Sequence, residues 1–110
     1  MLNQIVLVGR LTRDVQLNNT DSGKKVSTIT LAIPRSFKNM NGVYDTDFID
    51  CTMWDSVAVN TSEYCHKGDI VGIKGRVQSR TVENEDKKKN VMEVIAEKVT
   101  FLTSKNEKAE

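Results

Sequence analysis

Apolar and β-branched positions recur along the chain in segments of five to ten residues with turn signals between them, the pattern of an all-β domain carrying one short helix. The first segment, Asn3 to Leu11, is followed by a polar stretch that turns at Asp21-Ser22-Gly23. In the second, Val26 to Ile33, Ile29, Leu31 and Ile33 fall on one face and Thr28, Thr30 and Ala32 on the other, the period of two of a half-buried strand. Pro34 has no N–H to give and should end the regular pairing. The third, Thr46 to Trp54, follows a loop containing Asn41-Gly42, a dipeptide that readily takes the positive φ angles of a hairpin turn. The second and third segments therefore read as one long hairpin. Next, SVAVNTSEYCHKGD predicts a helix over 57–66, with Asp55 or Ser56 as its cap and Gly68 in the left-handed conformation at its end. Val57, Thr61, Tyr64 and Cys65 share the side that would pack, while Glu63 and Lys67 stay wet. A fourth strand, Asp69 to about Gln78, and a fifth, Val91 to Leu102, flank a polar loop from Glu83 to Asn90.

Three strands, a helix and two strands is the element order of an OB-fold, a five-stranded Greek-key barrel that often binds oligonucleotides. Residues 1–102 form this one domain, and Thr103 to Glu110 read as a disordered tail. Composition agrees with a folded domain, at 38% hydrophobic and 28% charged residues. Sixteen Lys and Arg against fifteen Asp and Glu leave a net charge of +1, so any case for a polyanion must rest on where the cations sit. The apolar run Ile5 to Val8 is too short for a signal peptide or a membrane span, which points to the cytoplasm. Cys51 and Cys65 form no CxxC pair, and His66 alone cannot complete a tetrahedral site, so neither a disulfide framework, a metal nor a cofactor is expected. The carboxylates are scattered and no nucleophile has a base partner, so no catalysis is expected either.

The third strand is the most informative. Its alternation sends Ile49, Cys51 and Met53 to one face and Phe48, Asp50, Thr52 and Trp54 to the other. A core would normally claim Phe and Trp, yet both share the polar face, as stacking platforms for bases would. The same pattern would arise if either ring packed under a loop or against another subunit. Phe37 and Tyr44 lie nearby, while Tyr64 and Phe101 read as core. Around the cluster stand Arg35 and Lys38, and the fourth strand carries Lys74, Arg76, Gln78 and Arg80 at alternating positions, a row suited to a phosphate backbone and equally to an ordinary solvated strand. Lys87, Lys88 and Lys89 follow Glu83, Glu85 and Asp86, so they read as a solvated loop.

MLNQIVLVGRLTRD at the start, TITLAIPRSF, DFIDCTMW and SEYCHKGDIVGIKGRVQSR, in this order and spacing over residues 1 to 102, resemble the bacterial and phage single-stranded-DNA-binding proteins. The resemblance implies an OB-fold, a homotetramer with single-stranded DNA over its surface, and work in replication, recombination and repair on nucleoid DNA. It implies stacking by Phe37, Phe48 and Trp54, the cluster that the alternation picks out. The candidate phosphate contacts around them are Arg10, Arg35, Lys38, Lys74, Arg76 and Arg80. A fourth aromatic, usual shortly after the fourth strand, is Val82 here, so stacking is not expected at that position. Family members commonly end in an acidic, hydrophobic tip that recruits replication and repair enzymes. This chain ends Lys-Ala-Glu, so such recruitment is not expected. The alternative is a primosome-type OB protein, dimeric and acting mainly through protein partners.

Overall fold

The computed structural model describes residues 1–103. The strands are β1 (Ile5–Leu11), a two-residue β2 (Asn18–Asn19), β3 (Lys25–Lys38), β4 (Tyr44–Trp54), β5 (Ile70–Asn84) and β6 (Lys87–Thr103), with the helix α1 (Asp55–Tyr64) between β4 and β5. Five long strands close a ring. β1 pairs antiparallel with both β3 and β5, β5 with β6, β3 with β4, and a short parallel contact of β4 with β6 completes the circuit. This is the all-β, OB-type barrel expected. The short strand β2, which pairs with Lys25 and Val26 and frames the turn at Gly23, was not foreseen. The expected tail, 103–110, lies outside the described residues except for Thr103, which closes β6.

The alternation read along the chain makes the core. Ile29, Leu31, Cys51, Met53, Val71 and Ile73 are each at most 1% exposed, and Ile33 and Ile49 pack against them half-buried. Each full burial stabilises the fold by about 1.5–3 kcal/mol. As Pro34 predicted, the β3–β4 register breaks after Pro34↔Thr46 and resumes only at Lys38↔Tyr44. The hairpin turn takes one left-handed residue, Gly42, and the Asn39 side chain closes it by accepting from the backbone N–H groups of Asn41 and Val43.

The helix starts two residues earlier than expected, and neither Asp55 nor Ser56 caps it. Trp54 occupies the cap without a side-chain hydrogen bond, and Asp55 opens the helix at φ 52°. Ala58, Thr61 and Cys65 are buried, but Tyr64 is exposed, and so is Phe101; the two rings meet each other at 5.9 Å on the surface. Both were expected in the core. The barrel interior is already filled by aliphatic and sulfur side chains, and aromatic rings at the ends of α1 and β6 have no place in it. Gly68 is left-handed as expected, though in a turn beyond the helix end, where its N–H donates to the Leu11 carbonyl. No helix among the described residues is long and apolar enough to cross a membrane.

The largest departure is the segment Glu83–Asn90, expected to be a loop. It is the tip of a β5–β6 arm whose pairing runs to Asn84↔Lys87 around a turn in which Glu85 and Asp86 both take positive φ, 47° and 69°. That is the geometry of a tight hairpin turn built without glycine. Opposite charges facing each other at Glu83↔Lys88 support it. Within the barrel the β5–β6 register shifts at a bulge between Lys74 and Gly75, where a Cβ would overlap the carbonyl oxygen of Ile95, so only glycine allows the two strands this close.

Candidate nucleic-acid interface

The β3–β4 pairs Val26↔Trp54, Thr28↔Thr52, Thr30↔Asp50 and Ala32↔Phe48 place eight side chains on one outward face, because opposed residues of antiparallel strands share a face. Phe48 is 67% exposed there and Trp54 39%. Six residues of extended strand separate them by about 20 Å, so each can take a different base. Trp54 is the more sheltered ring and borders a hollow with Thr20, Ser22 and Lys24. Phe37, 63% exposed, stands in the register break after Pro34, near the hairpin end where Lys38 Nζ lies 5.7 Å from the centre of the exposed Tyr44 ring. The structure thus places all three expected aromatics on the surface of the β3–β4 hairpin.

The expected cations divide. Arg10 points outward in register with Ala32, itself opposite Phe48, and its guanidinium donates to the Gly68 carbonyl at 2.6 Å. Arg35 forks onto Asp47 at 2.9 and 3.2 Å, with Asp45 3.7 Å away. The hydrogen bond from Arg35 holds the Asp47 carboxyl below the usual carboxylate range and raises the guanidinium in turn. On β5 the row Lys74, Arg76, Gln78, Arg80 does share one face, but its arginines are compensated by β6: Arg76 meets Glu97 at 3.4 Å and Arg80 meets Glu93 at 3.2 Å. Exposed ion pairs of this kind are worth about 0–1 kcal/mol, so an arriving phosphate can take over the arginine. Lys74 lies in register with Val6 on β1 and Lys98 on β6, away from β3 and β4. Arg80 is the member of the row that adjoins the aromatic face, where it lines a groove of about 290 Å³ with Thr28, Asp50, Thr52, Val82 and Met92.

Two groups of cations escaped the sequence reading. Arg13 lies along β3, donating to the Thr30 hydroxyl at 3.2 Å and the Thr28 carbonyl at 3.1 Å. It precedes any strand that contains its partners, so only tertiary pairing places it on this face. Lys87 and Lys89, taken as loop residues, line a hollow of about 330 Å³ on the arm with Val82 and Val91. Alternation past Arg80 would have found them had the turn been recognised. On the outer side of β1, Val6, Val8 and Leu102 are 52–65% exposed, and the Val8 and Leu102 side chains flank Gly72. No group of three or more potential metal ligands occurs among the described residues.

Residues 2–102 match the Single-strand binding protein family. Among similar proteins, Single-stranded DNA-binding protein B of Bacillus subtilis is 48% identical over 106 residues, spanning 96% of this chain and 94% of that one. Single-stranded DNA-binding protein 2 of Listeria monocytogenes is 47% identical over 111 residues, spanning all of this chain and 69% of that relative. The fold is shared with a solved deletion mutant of the single-stranded DNA binding protein from Thermus aquaticus, with a TM-score of 0.79 at 24% identity over 96% of this chain and 52% of that one.

Proposed function

The chain belongs to the single-strand binding protein family, and we propose that it holds single-stranded DNA by stacking bases on Phe37, Phe48 and Trp54, without catalysis. The observation that carries this reading is the outward, 67% exposed Phe48 on the same strand face as Trp54, where a fold economising on apolar exposure would have turned both rings inward. Stacking is indifferent to base identity because every base has a π-face, and each stack is worth about 1–3 kcal/mol. Arg10, Arg35, Lys38 and Arg80 serve the phosphates around the rings, joined by Arg13. Arg76 and Lys74 continue the path around the barrel, and Lys87 and Lys89 extend it along the arm, where apolar Val82 stands in place of a further ring.

The exposed apolar strip of Val6, Val8 and Leu102 supports assembly through β1, with a homotetramer as the proposed stoichiometry. Work on replicating, recombining or damaged DNA in the cytoplasm, on the nucleoid, belongs to the same proposal. Relatives named for single-stranded DNA leave the primosome-type alternative without support. Titration of oligo-dT and of a duplex of equal length, each at two salt concentrations, tests the function. Far tighter binding of the single strand is expected, with a log–log salt slope of about −0.7 per phosphate neutralised. Equal affinity for the duplex would refute it, since paired bases cannot offer their faces to the rings.

A further inference from the structure

Alternation along β4 carries its outward face past Phe48 to the first residue of the strand. Tyr44, Thr46, Phe48, Asp50, Thr52 and Trp54 occupy every second position, so Tyr44 lies on the same side as Phe48 and Trp54. At 54% its exposure falls between theirs. Four residues of strand set Tyr44 about 13 Å beyond Phe48, at the hairpin end where the register resumes at Lys38↔Tyr44. Lys38 shares this face across the pair and holds its ammonium 5.7 Å from the ring centre. Unlike Arg35, it has no ion pair among the described residues. Phe37, exposed in the register break just before Lys38, adds a second ring to the same end of the hairpin.

We propose that Tyr44 is a further base-stacking platform, which continues the line of rings from Trp54 and Phe48 to the end of the hairpin and takes one more base there, with Lys38 on the phosphate of that nucleotide. The inference rests on the stacking role of Phe48. A strand passing from Trp54 over Phe48 meets further aromatic surface only in this direction, because the arm across the groove carries no aromatic residue from Gly75 to Met92. An exposed cation–π contact is weak and covers one face of a ring, so Lys38 does not by itself account for an aromatic residue left half in water here. Ring and ammonium together supply what a nucleotide of any sequence needs, a π-face for its base and a cation for its phosphate.

Dissociation constants for oligo-dT on the intact chain, on Tyr44→Phe and on Tyr44→Leu test this. Tyr44→Phe keeps the π-face and should bind within about twofold of the intact chain, whereas Tyr44→Leu keeps apolar bulk without the ring and should raise Kd about five- to 150-fold. Equal loss in the two variants would assign the effect to the hydroxyl, and equal binding by all three would leave the ring no part; either overturns the proposal. The salt slope of Tyr44→Leu should be that of the intact chain, because a stack releases no counterions. A slope shallower by about 0.7 would mean that the ring only places Lys38, and it too overturns the proposal. Irradiation of the intact chain with oligo-dT carrying 5-iodouracil, which joins covalently to an aromatic ring stacked on it, needs no variant. Attachment at Tyr44 is expected, and attachment at Phe48 or Trp54 without Tyr44 overturns the proposal. Phe48→Ala, run in parallel, separates the two readings. Weakened binding there with unchanged binding in Tyr44→Leu removes only the Tyr44 platform, and unchanged binding in both removes stacking on this face altogether.

Discussion

Replacing Phe48 with alanine separates a binding surface from a core, because the two roles predict opposite pairs of measurements. At 67% exposure, about a third of the side chain is covered. For a ring residue of about 200 Å² this is roughly 65 Å² of buried area, worth at most about 1.5 kcal/mol of stability. The lost stack, by contrast, removes about 1–3 kcal/mol of binding, a five- to 150-fold rise in Kd. Trp54 gives the internal comparison. Only 39% exposed, it buries roughly 150 Å² of about 250 Å², so Trp54→Ala should cost up to about 4 kcal/mol of stability in addition to its stack. Because Trp54 is the only tryptophan, its fluorescence reports this face alone, and its quenching by oligo-dT remains available in Phe48→Ala. Urea denaturation supplies the stability arm. A Phe48→Ala protein that unfolds much more readily, yet binds oligo-dT with unchanged Kd, would refute the reasoning.

Arg35→Ala should remove one phosphate contact, so single-strand affinity falls and the salt slope becomes shallower by about 0.7; an unchanged slope would place Arg35 outside the DNA path. Val8→Asp sets a carboxylate into the exposed apolar strip and should yield a smaller species by light scattering at micromolar concentration with the circular dichroism retained. A native protein already monomeric there would remove the premise. Burial first, and the neighbouring Asp50 and Asp69 second, raise the thiols of Cys51 and Cys65 from 9.0 to about 11. The folded chain then holds these protons more tightly than the unfolded one, so their stabilisation is complete below pH 9 and is lost as pH rises toward about 11. A thiol reagent at pH 8 should label neither cysteine until urea is added, and prompt labelling of the native protein would contradict the burial.

The alternation of β3 and β4 was enough to tell inside from outside. Successive side chains of a strand point to opposite faces, so the burial of Ile29, Leu31, Cys51 and Met53 and the exposure of Phe48 follow from their positions alone. The break after Pro34 was legible for a similar local reason, a missing N–H. Other features depend on distances that no local pattern contains. Tyr64 and Phe101 look like core by residue type, and only the filled barrel shows that they are left outside. The arm was hidden because its turn puts Glu85 and Asp86, not glycine, into the left-handed region, and pairing along both strands compensates that local cost. The state of the cations was equally beyond the sequence. Arg35 finds Asp47 through the register of β3 on β4, Arg80 finds Glu93 across β5 and β6, and Arg13 reaches Thr30 only once β1 closes against β3. Residue type and period set which face a side chain takes, because those are properties of one strand. Which charge stands beside which is settled by strand register, which exists only when the barrel closes.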